Sequence, residues 1–116
     1  MENESTVERV LALAISDVLK DRRGDTTFTQ AEVAAAAGMA KNPYQNLESG
    51  LSNRSARSPA NPGIQTLFRI SQALHMPFKD LLVQIADRYD YHEARRLDGH
   101  RRPGPEGLSE PTSRPV

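Results

Sequence analysis

Five stretches of this chain carry apolar residues at three- and four-residue intervals, and runs rich in glycine, proline, serine or charge separate them. That period marks helices with one buried face, so the pattern predicts an all-α chain. In the first stretch Val7, Val10, Leu11, Ala14, Val18 and Leu19 form the apolar stripe. Ser5-Thr6-Val7-Glu8 ahead of it has the spacing of a capping box, in which hydroxyl and carboxylate each satisfy an orphan N–H. Gly24 offers a stop, and the predicted helix covers roughly residues 6–21.

The second helix has a stronger start signal. Thr29-Gln30-Ala31-Glu32 repeats the capping box, and Phe28 before it can fold onto Val33 as a hydrophobic staple. This helix runs to about Ala37, ends at Gly38 and offers Val33, Ala34 and Ala37 as a small inner face. The third stretch, "GMAKNPYQNLESG", holds a proline among helical residues. Proline lacks the N–H and clashes with the preceding turn inside a helix, yet it is favoured at the first helical position. With Asn42 as cap and Gln45 completing a box, Pro43 is expected to open a helix that turns Tyr44 and Leu47 inward and stops at Gly50.

Leu51 to Ala60 reads as an exposed loop. Asn61-Pro62 repeats the cap-then-proline signal, and Ile64, Leu67, Phe68, Ile70, Ala73 and Leu74 follow, giving a fourth helix over about 62–74. Pro77 breaks it, and Phe78, Leu81, Leu82, Ile85 and Tyr89 mark a fifth that reaches Arg96. Tyr44 and Phe68 are expected in the core. Residues 97–116 hold hardly an apolar side chain, too few to offset the entropy of ordering, and are expected to form a disordered tail.

A chain of 116 residues with 37% apolar content supports one modest core and no large buried catalytic cavity. Without cysteine, disulfides and thiolate metal sites are excluded, and His75, His92 and His100 lack ligand spacing, so neither metal nor cofactor is expected. His75 should sit near a helix end and the other two should be exposed. Asp87, Asp90 and Glu93 read as a solvated helix face, and no nucleophile–base set or phosphate-binding loop is present, so no catalytic residue is assigned. With no basic leader and no apolar run approaching about 20 residues, no membrane association is expected and the protein should be cytoplasmic. The net charge is zero but unevenly spread: residues 1–37 hold seven acidic and four basic side chains, whereas residues 38–79 hold five basic and one acidic. The middle of the chain is a basic island.

A short third helix, preceded by an eight-residue helix and a glycine turn, describes a helix-turn-helix over about residues 30–49. Counting from Gln30, the small Ala34 comes four later, Gly38 eight, Met39 nine, Tyr44 fourteen and Leu47 seventeen later, which meets the needs of a close crossing, a tight turn and an apolar joint. "FTQAEVAAAAGMAKNPYQNLESG" followed by "NPGIQTLFRISQALHMPFKDLL" resembles the Xre-type, phage-repressor-and-Cro-like family of DNA-binding domains over about residues 7–88. The matching motifs are Thr29-Gln30, Glu48-Ser49-Gly50 and Asn61-Pro62. Two departures stand out: Ala40 occupies the family's usual recognition-helix cap, and ten residues separate Gly50 from Asn61 where the family has a few. The resemblance implies a five-helix repressor-like domain over residues 1–96, with the extra residues forming an inserted loop at 51–60.

It also implies roles. Gln30 resembles the glutamine that binds DNA phosphate and braces the recognition helix, while Lys41, Asn42, Gln45 and Asn46 fall on positions that face the major groove. The chemistry agrees, since lysine can donate to guanine O6 and N7, and Asn or Gln can pair with adenine N6 and N7. Arg54 and Arg57, on the inserted loop, are candidates for phosphate contact. The function expected is a transcriptional regulator of bacterial or phage type, binding double-stranded DNA as a homodimer on a palindromic operator and lying on the nucleoid when bound. The alternative is an antitoxin, which would bind operator DNA and hold a toxin as its protein partner through helix five or the tail.

Overall fold

The computed structural model describes residues 3–51 and 59–101. It consists of five helices: α1 Asn3–Gly24, α2 Gln30–Ala36, α3 Lys41–Ser49, α4 Ile64–Ala73 and α5 Phe78–Arg101. Among the described residues there is no strand beyond an isolated antiparallel bridge between Leu51 and Pro59. No helix is long and apolar enough to cross a membrane, and no group of three or more His, Asp or Glu could hold a metal ion, among the described residues.

The core is one cluster shared by all five helices. Leu19 of α1, Val33 of α2, Tyr44 of α3, Ile70 of α4 and Leu81 of α5 are fully buried in it, with Leu74 just past α4. α5 runs antiparallel to α1: Arg88 meets Asp21 and His92 meets Asp17, so advancing along one helix means retreating along the other. α3 packs on α1, α2 packs on α3 and α4, and α4 packs on α5.

The helix ends show which local signals won. α2 begins at the expected capping box, with Thr29 Oγ accepting from the Glu32 N–H at 3.1 Å and Glu32 Oε1 accepting from the Thr29 N–H at 2.9 Å. Glycine stops act at α2 and α3, where Gly38 (φ 73°) and Gly50 (φ 81°) adopt the left-handed conformation that side-chain-bearing residues avoid. At Gly50 the N–H bonds Leu47 O at 3.2 Å and the next N–H, of Leu51, bonds Asn46 O at 3.1 Å, closing a Schellman motif. α4 closes the same way with His75 at φ 55°, and Arg22 supports that residue by donating to Leu74 O at 3.1 Å and His75 O at 2.8 Å.

Several starts differ from the sequence expectation. α1 is already helical at Asn3, so Ser5 lies inside it and does not cap it. α3 is capped by Ala40, which places Pro43 third in the helix, and α4 is capped by Gly63, two residues after Asn61. In α3 the first helical N–H groups have no intrahelical acceptor, so proline is tolerated in the first turn; in α4 Pro62 lies just before the cap, outside the helix. The periodic stripes also extend past the core. Val7 and Leu11 on α1 and Ile64 and Phe68 on α4 are exposed, so Phe68 is not a core residue as expected. His92 is not exposed either: it sits partly buried, 2.6 Å from Asp17 Oδ2. α5 carries residues 97–101 in helix beyond the expected end at Arg96; residues 102–116 of the expected tail lie outside the described residues.

Candidate nucleic-acid interface

The two faces of α3 differ completely. At about 100° per residue, Tyr44, Leu47 and Glu48 fall together on one side, and all three are buried. The opposite side carries Asn42 and Ser49, which are exposed, and Gln45 and Asn46, which are half-buried, while Lys41, exposed in the first turn, falls on the side of Tyr44 and Glu48. Capping the helix at Ala40 brings Lys41 and Asn42 into its first turn; of the four expected groove-facing residues, Asn42, Gln45 and Asn46 share the outer face and Lys41 does not. The Ala40 side chain makes no hydrogen bond to that turn.

What holds α3 from beneath is a charge. Glu48 is 4% exposed. Its carboxylate accepts from Arg23 Nε at 2.7 Å and Arg23 Nη2 at 3.0 Å, and from Gln30 Nε2 at 2.9 Å, joining the end of α1 and the start of α2 to the last turn of α3. Ser16, also buried, donates from Oγ to the Glu48 carbonyl at 2.6 Å. Burial pushes the Glu48 pKa up, but the hydrogen bonds and the Arg23 charge outweigh it and hold the carboxyl below its ordinary value. Arg23 is shifted upward by the same bond. A forked guanidinium on a carboxylate is the strong form of such a pair, and a buried one is costly to break because the survivor is left unpaired.

The Tyr44 hydroxyl is buried beside this network. It completes no hydrogen bond of acceptable geometry, although it lies close enough to the carboxylate to feel it. Burial first, and the neighbouring Glu48 second, raise its pKa well above that of a free phenol.

Gln30, Gln45 and Asn46 line one open cleft of about 360 Å³, together with Ser49 and Lys20. Lys41 and Asn42 stand at the other end of α3. Arg54 and Arg57 lie outside the described residues, but the ends of their loop are drawn together: Leu51 bridges Pro59, and the Ala60 N–H bonds Gly50 O at 3.0 Å. Sequence reasoning quoted Glu48 and Ser49 only as part of a motif and assigned no role to them or to Lys20. The signal for Glu48 was available in its spacing, since it follows Tyr44 by four and Leu47 by one and so shares their inward face.

Comparison of the chain with protein-family models, with curated proteins and with solved structures finds no match.

Proposed function

We propose that this protein is a sequence-specific transcriptional regulator that reads double-stranded DNA with α3, as a homodimer on a roughly palindromic operator. The observation that carries the reading is the division of α3: a buried face clamped by Arg23, Gln30 and Ser16, and an outer face of amides, with Lys41 exposed in the first turn. Amides and lysine match the donor–acceptor patterns of adenine and guanine in the major groove, and a clamped helix keeps them in register. One N–H of the Gln30 amide is spent on Glu48, leaving a second for a phosphate oxygen. Arg54 and Arg57 add phosphate contacts from the inserted loop. Occupancy of the operator then blocks or recruits polymerase.

Dimerisation is supported by the outer side of α4. Ile64 and Phe68 are 60% and 47% exposed, and the Phe68 ring meets Phe78 edge-on at 5.3 Å between centroids. Two short recognition helices about one DNA turn apart multiply the specificity of one. Selection of bound duplexes from random DNA, followed by footprinting and light scattering, tests the reading. The expected result is an enriched palindrome protected by a dimer; no enriched sequence would overturn the function, and a monomer on one half-site would overturn the assembly.

A further inference from the structure

Resting on that reading, we infer that Pro43 is a specificity-determining residue that reads the C5-methyl group of a thymine. Pro43 is exposed in the first turn of α3. It shares a largely apolar cleft of about 340 Å³ with Asn46 of the reading face, Met39, Leu51, Pro62 and Thr66. This cleft flanks the amide face on the side opposite Gln30, so a base edge engaging Asn46 has an apolar neighbour.

Beside its polar members Asn46, Asn61 and Thr66, the apolar part of this lining, with Pro43 exposed in it, is a poor partner for phosphate or for the donors and acceptors of a base edge. Among the four standard bases the one apolar group displayed in the major groove is the thymine methyl. The start of the helix is not set by proline at this position: α3 is capped by Ala40, two residues upstream of the Asn-Pro pair. Proline supplies a rigid apolar ring with no N–H to be desolvated against a methyl group. Asn46 and Pro43 thus read adjacent features, a hydrogen-bonding edge by one and a methyl by the other.

The test uses the full chain and the operator obtained by selection. Each thymine of a half-site is replaced in turn by uracil, which removes the methyl and keeps every hydrogen-bonding group, and affinity is measured for the natural protein and for Pro43→Ser. One thymine per half-site should lose roughly fourfold in affinity as uracil, the scale for returning one methyl to water. Pro43→Ser should bind thymine and uracil alike at that position while keeping its discrimination elsewhere. If no thymine responds to loss of its methyl while base preference is intact, the inference fails and the DNA reading stands. It fails equally if the response survives Pro43→Ser unchanged. If no duplex is preferred at all, both fall together.

Discussion

The two sides of α3 make opposite use of polar groups. On the inner side a carboxylate and a guanidinium are locked together with little water, and the return is position: the last turn of α3 cannot move without breaking bonds to α1 and α2. On the outer side the amides of Asn42, Gln45 and Asn46 are presented to solvent or half-buried. The contrast teaches that polar groups that hold a helix and polar groups that it presents can be separated on nine residues, because burial makes a polar group expensive to disturb and exposure makes it cheap.

The strongest way to break this comparison is at Arg23. Arg23→Ala leaves the Glu48 carboxylate buried with only Gln30 and should cost about 3–5 kcal/mol of stability, measured by denaturant unfolding. The loss should depend on pH with a definite sign. Because the folded-state pKa of Glu48 lies below its ordinary 4.5, the pair stabilises the fold above that value and the contribution disappears as pH falls through the lower, folded-state pKa. The gap between natural and Arg23→Ala proteins should therefore narrow in acid; a gap that widened there would mean Glu48 is not the partner that matters.

On the outer side the expected effect moves from folding to binding. Asn46→Ala should change stability by less than about 1 kcal/mol yet weaken the selected operator by about 1–3 kcal/mol, with discrimination lost at one position. Equal losses on operator and random DNA would place Asn46 on the backbone instead.

The smallest effect sharpens the boundary between the faces. Tyr44→Phe removes a buried hydroxyl that has no hydrogen bond of acceptable geometry, so stability should change by less than about 0.5 kcal/mol. A loss above about 1 kcal/mol would show that the phenol donates to Glu48 and belongs to the clamp.

Much of this frame was legible in the residues. The Thr29 box, Gly38 and Gly50 are local devices whose effect depends on a few neighbouring atoms, and they act where expected. The apolar phases of α2 and α3 held because these helices are sandwiched by others. Val7, Leu11, Ile64 and Phe68 did not follow their periodicity because a stripe tells which side a helix turns inward, and not how far along its length a neighbour covers it. The clamping role of Glu48 was hidden for a related reason. Its partner Arg23 lies 25 residues away, so the pairing that makes a buried carboxylate tolerable exists only once α1 and α3 have met.

The pinched base of the 51–60 loop makes that segment separable from the rest of the molecule. Because Gly50, Leu51, Pro59 and Ala60 are tied to one another, the ends of α3 and α4 face the same boundary whatever is strung between the ties. Doubling the intervening length would add only about 0.6 kcal/mol of closure entropy. What is strung between the ties can thus change in length or in its number of cationic side chains while the ends of α3 and α4 stay where they are.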